Sequence, residues 1–291
     1  MNNAFTKYVG LVVYRNRCRR LTLRVIFVRL FAVSQAYQGF MKMPYTAVAT
    51  STTPVLIIYL LDISGSMSQA LGDRKRIEIV SDALQEIALE MVARSTKGEL
   101  VSPRYKLAIF AYESTVHDIL GGVKTIDQFV REGVPEFAPR GGSNTAAAFL
   151  AAEQLLLQEL PYMQNSPAPL VCHMTDGEYQ GDDPTPIAQR IMAMSTPDGN
   201  VLVENIFISD RILNKPIGDA DKWPGLHDES ELANDYARAL LRMSSPLPDS
   251  YLNEMQEFGY QLQPNTPMLF PGQSRELIRM AFTMSGATPI A

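Results

Sequence analysis

Cysteine is nearly absent from this chain, with two in 291 residues. That excludes a small scaffold stapled by disulfides, and Cys172, set inside an apolar run, reads as a buried free thiol in a reducing, cytoplasmic compartment. Histidine is scarce too, at three. His117, His173 and His227 stand too far apart to pair at metal-ligand spacing, so they read as core or surface residues, His173 within a buried strand. The one tryptophan, Trp223, lies in a proline-flanked loop and reads as a packing anchor. No G-x-x-x-x-G-K-[ST] stretch occurs, which excludes the common phosphate-binding loop of ATP-driven motors. Internal repeats and long low-complexity segments are missing as well.

Acidic residues are absent from the first 42 positions, which hold eight Lys and Arg. The remainder then sets 18 Lys and Arg against all 31 Asp and Glu, a net charge of −13. An acidic body of this kind repels phosphate, so nucleic-acid binding is excluded and cations or positively charged partners suit it better. The N-terminal apolar tract, Leu21 to Val33, is broken by Arg24 and Arg29 and is too short and too charged to be an integral membrane span. Residues 1–45 read as a basic, disordered extension, or as sequence ahead of a true start at Met41 or Met43; a targeting or membrane-surface helix is the alternative. One domain is expected over 46–291, a length sufficient for a single substantial core.

What the chain does have is an abrupt stop. Val55 to Leu61 is an unbroken apolar run, bounded by Pro54 and by Asp62-Ile63-Ser64-Gly65-Ser66, and it fits a strand buried on both faces of a parallel sheet. In such sheets ligands sit beyond the carboxyl ends of strands, where Asp62, Ser64 and Ser66 would lie. Magnesium takes oxygen ligands at about 2.1 Å in octahedral geometry, so neighbouring ligand oxygens stand about 3 Å apart. Residues two apart on an extended strand are separated by roughly 6.6 Å, so the chain must curl after residue 61, with Gly65 supplying the freedom. The competing readings are a plain turn, and a phosphotransferase or phosphatase with Asp62 as nucleophile. A phosphotransfer loop of that architecture carries a second acid where this chain has Ser64.

The rest of the chain alternates. Ile77, Val80, Leu84, Ile87 and Met91 mark one face of a helix, with Glu78, Asp82, Gln85, Glu86 and Glu90 opposite. Strands are expected at 105–112 and 115–120, a short helix at 125–131, and a helix from the 139–145 loop to about Leu160, capped by Ser143. A strand over 170–174 stops at Thr175-Asp176-Gly177-Glu178, repeating the opening architecture. A helix at 186–195, a strand at 201–208, a long loop over 209–228, helices at 230–243 and 248–258, a strand at 268–270 and a helix at 274–282 complete the pattern. The fold class is α/β: a doubly wound, mostly parallel sheet flanked by helices, with one antiparallel edge strand.

Asp62-x-Ser64-x-Ser66 after the first strand, Gly141-Gly142-Ser143-Asn144-Thr145 at a helix start and Thr175-Asp176-Gly177 after a later strand together resemble the von Willebrand factor type A domain with its metal-ion-dependent adhesion site. The resemblance spans roughly residues 54 to 286 and implies a Rossmann-like fold. It further implies that Ser64, Ser66 and Thr145 ligate Mg2+ or Mn2+ directly while Asp62 and Asp176 hold it through water. Ser143 stands as an alternative to Thr145. Neutral hydroxyls leave the ion electrophilic, and magnesium retains positions that a partner's Asp or Glu carboxylate can fill. The implied function is metal-dependent protein binding without catalysis. Small stand-alone bacterial relatives are linked to stress or kinase and phosphatase signalling, and others serve chelatase-like assemblies. Glu178, Asp182 and Asp183 read as a solvated acidic loop or as further ligands.

Overall fold

The computed structural model describes residues 45–177, 179–209 and 211–290; the basic N-terminal segment and Glu178 lie outside the described residues. The first strand, β1 (Val55–Asp62), is buried along its whole length, as an uninterrupted apolar run requires. It pairs in parallel with β2 (Tyr105–Tyr112) on one side and with β5 (Leu170–Thr175) on the other. Beyond β5 come β6 (Leu202–Phe207) and β7 (Leu269–Pro271), both parallel. On the far side β2 carries two antiparallel segments, β3 (Val116–Asp118) and β4 (Lys124–Thr125). The order β7-β6-β5-β1-β2-β3 reverses direction at β1, so the crevice between the carboxyl ends of β1 and β5 is the switch point of the sheet.

Helices cover both faces. One layer holds α1 (Arg76–Ser95), α2 (Ile126–Glu132), α6 (Asp249–Glu257) and α7 (Arg275–Ser285); the other holds α3 (Thr145–Glu159), α4 (Thr185–Ala193) and α5 (Asp235–Arg242). The five apolar positions of α1 noted above are all buried. Phe282 of α7 stacks on Tyr59 of β1 at 6.1 Å, and Trp223 packs edge-on against Phe270. Among the described residues no helix is long and apolar enough to cross a membrane.

The parallel sheet with an antiparallel edge is as the sequence implies, with four local corrections. Ser143 does not cap α3; the Asn144 side chain takes the Ala147 N–H at 3.1 Å, because the Ser143 hydroxyl is engaged elsewhere. The 230–243 region is not one helix, since Asn234 accepts from Ala237 N–H at 2.8 Å and starts α5 afresh. The strand expected over 115–120 ends at Asp118, whose carboxylate turns to accept the Gly121 N–H at 3.0 Å. β4 is a second antiparallel segment, two residues long and too short for any periodicity.

Candidate metal centre

Beyond Asp62 the chain curls into a short 3-10 turn, Gly65–Ser68. Asp62 Oδ1 accepts the Ser64 N–H at 2.8 Å, and Ser64 and Ser66 carbonyls accept from Met67 and Gln69. The result brings the Ser64 and Ser66 hydroxyl oxygens to 3.0 Å from each other. That is the spacing of adjacent oxygens around an octahedral ion of magnesium's size, about 3 Å.

Asp62 is 1% exposed. Its Oδ2 accepts from Ser143 Oγ at 2.9 Å and from Thr175 Oγ1 at 2.8 Å, so it gathers all three segments into one cluster. Burial pushes its carboxyl above the usual range, and the hydrogen bonds from Ser64, Thr175 and Ser143 oppose that shift. Ser143 donates its proton to Asp62 and keeps its lone pairs, and Thr145, the first residue of α3, holds its hydroxyl 3.4 Å from that of Ser143. Asp176 follows β5 and its side chain is fully buried. One of its oxygens accepts from Ser66 Oγ at 2.7 Å, the other from the Arg76 guanidinium at 2.5 Å.

Thr145 is held from behind by groups that sequence reasoning missed. Asn205 donates its amide N–H to Met243 O and Ser244 Oγ, which turns its oxygen toward His173 Nδ1 at 2.7 Å. His173 therefore carries its proton on Nδ1, and its Nε2 accepts from the Tyr112 hydroxyl at 2.7 Å. Burial lowers the imidazole to about 4, so the ring is neutral at physiological pH. The Tyr112 oxygen faces Thr145 Oγ1 at 3.4 Å and can take its proton, leaving the threonine lone pairs for a ligand. The available signal was polar residues in strands otherwise buried, His173 in β5 and Asn205 in β6, which the pairing sets side by side.

The 139–145 loop is sewn to its neighbours by backbone bonds: Arg140 N–H to Ile63 O at 2.8 Å, Gly65 N–H to Gly141 O at 3.1 Å, Asn144 N–H to Glu113 O at 2.7 Å and Gln180 N–H to Ser143 O at 2.7 Å. Gly141 sits at φ +65°, and a Cβ there would lie 2.7 Å from Glu113 Oε2. Glu113, at the end of β2, accepts from Thr115 Oγ1 at 2.9 Å and lies 3.3 Å from His117 Nε2. Hydrogen bonds, foremost those from Thr115 and the Ser114 backbone, lower its carboxyl to about 2. Asp183 accepts the Thr185 N–H at 2.9 Å at the start of α4, a local role. Among the described residues no cluster of three or more His, Cys, Asp or Glu is arranged for a metal. A cation here would depend on Ser64, Ser66 and Thr145, with Asp62 and Asp176 compensating its charge from behind, and this donor set fits a hard ion.

Residues 57–178 match the family model described as von Willebrand factor type A domain, a span that takes in Asp62, Ser64, Ser66, Thr145 and Asp176. Among solved structures the chain is similar to the pilus adhesin SpaC from Lactobacillus rhamnosus GG, with TM-score 0.50 and 9% identity over 79% of this chain and 30% of that one. It is also similar to the von Willebrand factor domain of the type V pili tip protein Mfa5 from Porphyromonas gingivalis (TM-score 0.35, 18% identity, 44% of this chain and 39% of that one). A third is the manganese-loaded TRAP protein of Plasmodium vivax (TM-score 0.37, 19% identity, 55% and 59%). The chain thus spans less than two thirds of the length of each of these structures. No curated protein matches it.

Proposed function

We propose that this chain is a cytoplasmic, metal-dependent protein-binding module. In this reading Mg2+ or Mn2+ is held by Ser64, Ser66 and Thr145 and captures an Asp or Glu carboxylate of a partner. The observation that carries the reading is the pair of hydroxyl oxygens 3.0 Å apart, backed by two buried carboxylates that no third acidic ligand joins among the described residues. An ion bound chiefly by neutral oxygens keeps most of its charge and attracts an anionic ligand. The match of residues 57–178 to the family model lends support. Buried, free Cys172 suits a reducing compartment.

The phosphotransferase alternative requires an Asp62 oxygen within reach of a phosphorus atom. Asp62 is 1% exposed and receives three hydrogen bonds, which argues for a structural anion rather than a nucleophile. The test is affinity capture from native lysate with wild type in Mg2+, wild type in EDTA and Asp62→Ala in Mg2+, after circular dichroism establishes that the variant is folded. Retention of a partner by the Mg2+-loaded wild type alone is the expected result; equal retention in all three would place binding on another surface.

A further inference from the structure

Arg76 is the first residue of α1, where a positive side chain faces the positive end of the helix dipole and gains nothing for the helix. Its compensation is Asp176, 2.5 Å away and fully buried at the side chain. The contact is not built for maximum strength: Nη1 makes it, while the buried Nε has no protein partner among the described residues. Each Asp176 oxygen accepts one hydrogen bond, the first from Ser66 and the second from Arg76.

The consequence lies in the charge count. Asp62, Asp176 and Arg76 together leave the site with a single net negative charge, and a divalent ion turns that into a single net positive one. Without Arg76 the same site would be doubly negative when empty and neutral when loaded. We propose that Arg76 is a specificity-determining residue: by neutralising Asp176 it weakens the hold on the cation and strengthens the hold of the cation-loaded site on a carboxylate. The inference rests on the reading of the site as a cation centre. A carboxylate ligand then binds a site whose charge it cancels, and the cation is retained best when both are present.

The test compares wild type, Arg76→Gln and Arg76→Lys, with Ser66→Ala as a site control. Mn2+ affinity is measured from the electron paramagnetic resonance of free Mn2+, and acetate serves as the carboxylate probe through the relaxation of water protons at bound Mn2+. Arg76→Gln keeps an N–H for Asp176 and removes the charge, so it is expected to bind Mn2+ about tenfold more tightly and to need several-fold more acetate for half displacement of water. Arg76→Lys is expected to stay close to wild type in both. Equal or weaker Mn2+ binding by Arg76→Gln, or an unchanged acetate midpoint, would overturn the proposal while leaving the cation site standing. Wild type and Ser66→Ala binding Mn2+ alike would remove the cation site and the proposal together. Should Arg76→Gln lose its fold, the wild type carries the test: the Arg76 Nε–H resonance, assigned by its loss in Arg76→Lys, must shift on saturation with Mg2+, and an unmoved resonance overturns the proposal.

Discussion

Ser64 Oγ and Ser66 Oγ stand 3.0 Å apart although two positions separate them in the chain, because the Gly65–Ser68 turn folds the second hydroxyl back over the first. Ser66 also donates to Asp176, which leaves its lone pairs directed away from that carboxylate. Replacing Ser66 with Ala removes one ligand oxygen and frees an Asp176 oxygen. Mn2+ affinity is expected to fall by tenfold or more, while the half-exposed side chain makes the change in urea-unfolding free energy no larger than about 1 kcal/mol. Unchanged Mn2+ affinity in Ser66→Ala would show that the hydroxyl pair is only a turn.

Tyr112→Phe deletes one oxygen from the line Asn205, His173, Tyr112, Thr145. It strands His173 Nε2 in a fully buried position, a loss of about 1–3 kcal/mol in unfolding free energy. It also frees the Thr145 hydroxyl to rotate, so Mn2+ binding is expected to weaken several-fold with the far-UV spectrum intact. A variant as stable as wild type would mean that the phenol and imidazole do not share a proton in solution.

Gly141 and Gly142 separate backbone strain from simple crowding. Gly141 adopts φ +65° and a Cβ would meet Glu113 Oε2 at 2.7 Å, whereas Gly142 lies outside that region and its Cβ would meet the end of the Gln180 side chain, which can move. Gly141→Ala is expected to cost about 1–2 kcal/mol and to weaken Mn2+ binding by displacing the loop that positions Thr145. Gly142→Ala is expected to lie within about 0.5 kcal/mol of wild type. Thermal melts of the two variants side by side decide; equal losses would refute the assignment of strain to Gly141.

Asp62, Ser64, Ser66 and Asp176 were legible in the sequence because each stands where an apolar run stops, at or just beyond the carboxyl end of a buried parallel strand. The register of α1 was legible for a related reason: Ile77 to Met91 obey one period over four turns. Arg76 was not legible. It ends the run Asp73-Arg74-Lys75-Arg76, which looks like any solvated helix start, and only the pairing of β1 with β5 brings it to Asp176. Ser143 and Asn144 are both good caps, and the choice between them is made by Asp62, 81 positions away from Ser143. His173 looked like a core residue and is one, yet its partners come from β2 and β6, so their alignment is a property of strand pairing and not of local pattern.

Glu204 lies in β6, opposite Cys172 of β5, on the sheet face that carries Tyr59 and meets α7. It is fully buried, and the Cys172 thiol opposite, a weak donor, only partly offsets that burial. Burial pushes its carboxyl well above the ordinary range, so the folded protein keeps Glu204 protonated where the unfolded chain releases the proton. A raised folded-state value means that the stabilising contribution is fully present below the unfolded pKa, about 4.3, and is lost as pH rises toward the folded value. The free energy of unfolding is therefore expected to fall between pH 5 and pH 8, with a contribution from this group of up to about 1.4 kcal/mol per unit. Glu204→Gln has the same shape and no proton to lose. It is expected to be more stable than wild type at pH 8, to differ little at pH 4.5, and to show a flatter slope in urea titrations at four pH values. Parallel slopes for the two proteins would mean that Glu204 is ionised inside the fold, held by a partner that the sheet interior does not otherwise display.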